Sequence, residues 1–152
     1  MGLTSVEAIV ANPIRRTRKS RVKLLVDSGA LYSVLPERVW KALGLKAERQ
    51  VEFDLADATS ISRMVGEARF VIHGVGAVSP VVLGAKNDEP LLGAVTLESL
   101  GYMLNPLTRQ LLPMRMMLAR VGSAEAALRL AMLGGSSPNA RMPKRRPGRY
   151  IS

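Results

Sequence analysis

The sequence predicts an all-β, mainly strand-built domain with one or two short helices. Short segments rich in Val, Ile and Leu alternate with polar residues and are bounded by Pro, Gly, Asn and Asp. Before residue 114, helical spacing of apolar residues is confined to two brief stretches. Hydrophobic residues make up 47% of the 152 residues but aromatic residues only 4%, so the core must be aliphatic. This length is enough for one domain with a substantial core.

Turn and cap residues divide the chain into elements. Predicted strands cover residues 6–10, 22–26, 51–55, 62–72, 78–83, 102–105 and 110–112. Pro36 in a first turn and Gly44 as a stop delimit one short helix. A second helix precedes Gly101. The polar turn 57–60 joins two of the strands into a long hairpin, and the basic segment 14–20 joins the first two strands.

The chain changes character after Pro113. Residues 114–133 are rich in Met, Ala, Leu and Arg, which favours a C-terminal helical extension. Residues 134–152 begin with Gly and Ser and end in a run of Pro and Arg, a composition typical of a disordered basic tail. The sequence therefore predicts a domain over 1–113, a helical extension over 114–133 and a tail over 134–152.

Charge and composition narrow the function classes. The net charge is +10, and 11 of the 22 basic residues fall within 15–23 and 141–149. Such runs are typical of a solvated loop and a solvated tail, and they also predict weak contact with polyanions. The absence of cysteine excludes disulfides and thiol catalysis, and the single histidine, His73, argues against a histidine metal site or triad. We expect no metal and no cofactor.

The sequence also bears on location. No uncharged apolar run is long enough to span a bilayer, so we expect no membrane contact. Residues 1–13 lack a basic segment followed by a long apolar one, so we see no signal peptide and expect a cytoplasmic protein.

The main candidate for chemistry is an acidic residue at the end of a strand. An apolar strand over 24–26 runs directly into Asp27, followed by Ser28 and Gly29. This order predicts a carboxylate at the buried end of a strand, where a charge is costly unless something satisfies it. Gly29 permits a turn that brings its N–H near the carboxylate. The motif occurs once in the chain.

Acid–base catalysis by carboxyl groups at neutral pH needs two of them close together. A single aspartate is a poor base and cannot serve as an acid at neutral pH. Two carboxylates within a few ångströms cannot both ionise, so they share one proton and supply both an acid and a base. Because only one such motif is present, a pair requires two chains related by a twofold axis.

Four motifs, in order, give a resemblance to a known family. They are the apolar strand with Asp27-Ser28-Gly29-Ala30, the Leu35-Pro36 segment with its helix ending at Leu45, the hairpin around Asp57, and Leu91-Leu92-Gly93 followed by a short helix. Over about residues 5–113 the chain resembles the retropepsin-like aspartic proteases of the small single-domain bacterial or archaeal type. The resemblance implies a closed or partly open acid-protease barrel and a homodimeric endopeptidase acting on peptide or protein substrates.

Residue roles follow from the resemblance. Asp27 is implied as the catalytic carboxylate, with Ser28, Gly29 and Ala30 as the supporting loop. Ser28 is expected to hydrogen-bond across the dimer, the alternative being a local turn hydrogen bond. A structural brace for the catalytic loop is implied for Leu91, Leu92 and Gly93. The flap tip that closes over substrate is implied for Asp57, Ala58, Thr59 and Ser60, the alternative being a plain solvated turn.

One position departs from the family pattern, and two other functions stay open. The family often has glycine where Ala58 stands, so a turn that needs positive φ would strain this alanine or take another form.

The alternatives to a protease are a catalytically silent dimerisation or binding module with the same fold, and a basic polyanion-binding protein.

Overall fold

Nine strands and two short helices lie within residues 4–118 of the structure, a computed structural model, which also describes residues 131–133. The elements are β1 (Ser5–Ala11), β2 (Lys19–Val26), β3 (Ser33–Leu35), α1 (Glu37–Ala42), β4 (Arg49–Asp54), β5 (Ser60–Ile72), β6 (Val75–Leu83), β7 (Leu91–Leu92), α2 (Ala94–Ser99), β8 (Tyr102–Leu104) and β9 (Leu111–Pro113). The predicted all-β fold class is confirmed, and the predicted strands and both helices lie at the expected places.

Seven strands form one sheet that closes on itself. The strand order is β1-β2-β7-β3-β6-β5-β4, and β1 also pairs with β5. Strand β5 makes this closure because its 13 residues pair with β4, β6 and β1 along their length. Strand β4 stands at the end of this order and pairs with the first residues of β5 to form a long hairpin.

Alternation along the strands builds the core. In β2, Val22, Leu24 and Val26 are buried, whereas Arg21 and Lys23 are exposed. Most of the largest fully buried side chains are Leu, Ile and Val, and Phe70 is the one aromatic ring among them. The prediction of an aliphatic core is therefore confirmed.

Two short strands, β3 and β7, were not predicted as strands. They lie side by side in the middle of the sheet: β2 pairs with β7 in parallel, β7 with β3 antiparallel, and β3 with β6 in parallel. Each has only two or three residues, so neither shows a readable alternation, and long-range pairing decides their structure.

The predicted C-terminal extension is described only in part. Residues 114–118 are not helical, so a helix beginning at residue 114 is wrong. Instead, the Met114 N–H donates to the Gly101 carbonyl at 2.7 Å, which keeps the chain beside β8 and β9. Residues 131–133 are helical, and the rest of the predicted extension and the tail 134–152 lie outside the described residues. The compact unit that holds the strands runs Met1–Met116.

Across the described ranges, every helix is too short or too polar to cross a bilayer.

Candidate active site

The turn after β2 holds the Asp27 carboxylate. The Asp27 N–H donates to the Leu92 carbonyl at 3.1 Å, and the Ala30 N–H donates to the Asp27 carbonyl at 3.2 Å. The Gly29 N–H donates to Asp27 Oδ1 at 2.9 Å, as the sequence predicts. The turn therefore fixes both the backbone and the carboxylate of this residue.

Two expectations about this turn need correction. Asp27 is exposed in the single chain, not buried: β2 ends at Val26, as predicted, and Asp27 lies in the turn that follows. Gly29 is not among the described residues with positive φ, so glycine is not needed there for its backbone conformation. A side chain at Gly29 would instead place a Cβ 3.2 Å from Asp27 Oδ1, so the glycine leaves room for the carboxylate.

Strand β7 and helix α2 brace the Asp27 turn. Leu25 and Val26 pair with Leu91 and Leu92 in parallel. Further along, the Ala94 N–H donates to the Ala30 carbonyl at 2.8 Å and the Val95 N–H to the Leu31 carbonyl at 3.0 Å. Residues 91–95 therefore contact the chain on both sides of the turn, and the bracing role of Leu91, Leu92 and Gly93 stays a prediction.

A buried cluster of three hydroxyl groups supports this brace, and the sequence did not reveal it. Thr96 Oγ1 lies 2.6 Å from Ser33 Oγ and 2.8 Å from Ser79 Oγ. Ser33 Oγ also accepts the Gly93 N–H at 3.0 Å. All three side chains are buried, and each hydroxyl group is hydrogen-bonded. The cluster therefore links β3, β6 and α2 without leaving a buried polar group unpaired. Their only sequence signal is a polar residue within an apolar segment.

Asp27 is one of the residues that line a cleft of about 800 Å³. The walls are mainly apolar, and they include the turn end of the β4–β5 hairpin. The apolar lining side chains are Leu31, Val34, Phe53, Leu55, Ile61, Val82 and Leu91, and the charged ones besides Asp27 are Asp54, Arg63, Asp88 and Glu89. Apart from Leu91, these wall residues were not among the predicted site residues, because strands far apart in sequence supply them.

Aromatic contacts stiffen one wall of the cleft. Tyr32 packs edge-on against Phe53, with ring centroids 6.0 Å apart. Arg49 Nη2 donates to the Tyr32 hydroxyl at 2.9 Å, and its guanidinium lies 5.9 Å from the centre of the Tyr32 ring. These contacts tie β4 to the segment that follows the Asp27 turn.

The predicted flap residues form the tip of the β4–β5 hairpin. The Leu55 N–H donates to the Thr59 carbonyl at 2.7 Å, and the Ala58 N–H donates to the Leu55 carbonyl at 3.0 Å. Leu55 and Ala56 line the cleft, whereas Asp57, Ala58, Thr59 and Ser60 do not. The single chain thus brings the first half of the hairpin turn and the strand ends beside it to the Asp27 cleft, but not residues 57–60.

Ala58 has a φ of +65°, so the turn does need a left-handed residue. A side chain in this region is strained. We expect Ala58→Gly to raise the free energy of unfolding by about 0.5–1 kcal/mol, measured by chemical denaturation. Ala56→Gly is the matched control: Ala56 is not in the left-handed region, so its replacement should lower stability. Equal effects at the two positions would contradict strain at Ala58.

Asp57 holds the turn through its carboxylate. The Thr59 hydroxyl donates to Asp57 Oδ1 at 2.5 Å and the Thr59 N–H at 3.0 Å. These bonds, the hydroxyl first, lower the pKa of Asp57 below its ordinary 3.8. Because the pKa of Asp57 is lowered, its ionised carboxylate stabilises the turn fully at pH values above 3.8. This stabilisation is lost as the pH falls through the lowered pKa. We therefore expect the NMR signal of the Thr59 amide to shift only below about pH 3.8, and Asp57→Asn to remove that shift. A Thr59 amide titrating at higher pH would contradict this.

Other charged candidates lie elsewhere. His73 is exposed on the β5–β6 turn and packs edge-on against Tyr102, outside the cleft. Arg15, Arg16 and Arg18 are exposed on the loop between β1 and β2, and the second basic run lies outside the described residues. Polyanion contact and a cytoplasmic location stay predictions.

The barrel, the Asp-Ser-Gly turn and the Leu-Leu-Gly brace together define a retropepsin-like fold. Residues 13–96, more than half of the chain, match the sequence model described as "Aspartyl protease", and the chain belongs to that family. The match includes both Asp27 and the Leu91-Leu92-Gly93 brace.

One solved protease is similar to this chain in fold, and a second was also found. EIAV protease complexed with an inhibitor aligns with a TM-score of 0.51 at 14% identity, covering 66% of this chain and 89% of that one. Simian foamy virus (mac) protease aligns with a TM-score of 0.45 at 18% identity, covering 62% and 91%. No curated protein matches the chain.

Proposed function

We propose that this protein is an aspartic endopeptidase whose active site forms between two copies of the chain. The observation that carries the proposal is the Asp27 carboxylate, which a braced turn holds at the mouth of an apolar cleft. Its exposure in one chain fits a group that meets its partner only in a dimer. Ser28 is exposed beside it, which suits the proposed hydrogen bond across that dimer.

The proposed mechanism uses two Asp27 carboxyl groups that share one proton. The ionised group takes a proton from a water molecule, and the resulting hydroxide attacks the carbonyl carbon of the peptide bond. The protonated group donates its proton toward the developing oxyanion. Collapse of the tetrahedral intermediate breaks the C–N bond, and the leaving nitrogen takes up a proton. The products are a carboxylic acid and an amine, so water is the only co-reactant.

The cleft indicates the substrate shape. Its walls offer apolar side chains from both the Asp27 segment and the β4–β5 hairpin, which suits an extended peptide with large apolar residues. Residues 57–60 then act as the flap tip that excludes water once substrate is bound.

Fluorogenic peptides test the proposal directly. We expect cleavage between two adjacent apolar residues, inhibition by a statine-type hydroxyl compound, and no cleavage of a matched peptide with serines at those two positions. A protein that remains folded and dimeric but cleaves no peptide from acidic to neutral pH would contradict the proposal. That outcome would favour a catalytically silent binding module.

A further inference from the structure

One outer face of the sheet is lined by basic side chains. In β2, Val22 and Leu24 are buried in the core, whereas the residues that alternate with them point outward. These outward residues are Lys19, Arg21 and Lys23, and all three are exposed. Because strand residues two positions apart lie about 6.5 Å from each other, β2 presents a straight row of three positive charges.

The neighbouring strands extend this row into a surface. Strand β1 pairs with β2 along all seven of its residues and with β5 along three, so the outward residues of the three strands share one face. Its other charged members are Glu7, opposite Lys23, and Arg69, opposite Ala11. Arg69 lies across Gly76 of β6, where a Cβ would meet its guanidinium group. We call this surface the basic face, and its residues are Lys19, Arg21, Lys23, Glu7, Ile9, Ala11, Arg69 and Val71.

Among the described residues, no carboxylate forms an ion pair with the positive charges of the basic face. The one ion pair in that part of the chain joins Lys41 to Glu37 on α1. Glu7 stands opposite Lys23, but the two side chains are too far apart to form an ion pair. The face therefore presents four cations and one carboxylate, and small counterions balance the excess positive charge. A polyanion that binds here replaces those counterions, and ion release drives the binding.

The form of the basic face favours the phosphate backbone of a nucleic-acid duplex as its ligand. A duplex carries a linear array of negative charges, one per about 1.7 Å of its axis, which suits a straight row of cations. The apolar members of the face, Ile9 and Val71, are half-buried and aliphatic. The face has no aromatic ring on which an unpaired base could stack, so single strands gain nothing there over a duplex.

The basic face is separate from the candidate active site. None of its residues lines the cleft that contains Asp27, although β2 carries the basic row and leads into the Asp27 turn. The exposed arginines of residues 15–18 adjoin the Lys19 end of the row, so the positive charge continues away from Asp27. A duplex bound on this face leaves the cleft open.

We propose that the basic face binds the phosphate backbone of double-stranded nucleic acid without reading its base sequence. The chain's net charge of +10 adds long-range attraction to such a polyanion. The proposal goes beyond peptide cleavage and does not rest on it, because exposure, strand register and charge define the face.

Salt-dependent binding of the full chain to a fluorescent DNA duplex tests the proposal. The logarithm of the association constant should fall linearly with the logarithm of the NaCl concentration. The triple variant Lys19→Gln, Arg21→Gln, Lys23→Gln removes three contacts with phosphates. We expect it to weaken binding about tenfold or more in about 0.1 M NaCl and to reduce the salt slope by about 2 to 3, measured by fluorescence anisotropy.

A charge-matched variant is the control. Arg38, Lys41 and Lys86 are exposed on α1 and in the loop after β6, outside the basic face. Replacing these three with glutamine lowers the net charge equally, so with salt screening the affinity should change by less than about twofold. Equal weakening by both variants would assign binding to net charge, and no weakening by either would assign it to the rest of the chain. Both results would overturn the proposal.

Two other ligands test the duplex as the occupant. A single strand of the same length should bind no more tightly than the duplex, since base stacking is not available on the basic face. Tighter binding of the single strand would overturn the assignment to a duplex. Vesicles of phosphatidylserine are the second probe. If vesicle binding depended on the basic face while duplex binding did not, the face would be a membrane contact and the proposal would fail.

A measurement on the unaltered chain removes any dependence on the folding of the variants. Adding the duplex should shift the NMR amide signals of residues 19–23 and 69 more than those of residues 38–41. Shifts confined to residues outside the basic face would contradict the proposal. Cleavage of a peptide by the triple variant should equal that of the unaltered chain, whereas Asp27→Asn should bind the duplex normally. The failure of one proposal therefore does not decide the other.

Discussion

Asp27→Asn is expected to lower kcat/KM for peptide cleavage by about 10⁴-fold, because a carboxamide can neither take a proton from water nor share one with a partner carboxylate. The fold should survive. Asp27 is exposed, and the Oδ1 atom of asparagine still accepts the Gly29 N–H. We therefore expect a melting temperature near that of the unaltered protein together with an inactive enzyme.

A second acidic residue of the cleft provides the control. The Asp88 carboxylate accepts the Ala85 N–H at 2.7 Å and lines the same cleft. Asp88→Asn keeps an accepting oxygen there and removes one negative charge, so most of the activity should remain. If both variants retained cleavage, Asp27 would not be the catalytic residue.

Mixing tests whether Asp27 acts in pairs. With a tenfold excess of Asp27→Asn chains, most unaltered chains sit in mixed dimers that hold only one carboxylate. Activity per unaltered chain should then fall by about tenfold if the subunits exchange freely. Activity that stays constant under exchange would place the whole site within one chain.

The parts of this site that the sequence predicts are local ones. The Asp27 turn, its Gly29 hydrogen bond and the left-handed residue at Ala58 depend on neighbours within a few positions. The long hairpin of β4 and β5 is predictable for the same reason, since alternation and a polar turn are both local signals.

The rest depends on contacts between distant segments. The hydroxyl of Thr96 meets Ser33 and Ser79, which lie 63 and 17 positions away. The exposure of Asp27 depends on which distant segments pack beside the end of β2. The apolar sequence of the strand does not specify those segments. Strands β3 and β7 likewise exist because the sheet pairs them, not because their few residues prefer it.

Gly93 lies between β7 and helix α2 and against the segment that follows the Asp27 turn, and we expect Gly93→Ala to be strongly destabilising. A Cβ built there lies 2.5 Å from the Tyr32 carbonyl carbon and 2.8 Å from the Ser33 nitrogen. Both are backbone atoms of the segment that leads from the Asp27 turn into β3, so neither can rotate away. We expect a loss of about 3 kcal/mol in the free energy of unfolding and a fall of about 10 °C in melting temperature.

The effect should reach activity as well as stability. Displacing Gly93 pulls on the bonds from Ala94 to Ala30 and from Val95 to Leu31, which position the Asp27 turn. Cleavage should therefore fall even at temperatures where the variant is folded. Gly74→Ala is the control, because no atom lies within 4 Å of a Cβ built there, and its φ of +79° leaves only a conformational cost of about 1 kcal/mol. If the two variants lost equal stability, close packing against residues 32–33 would not be what requires glycine at position 93.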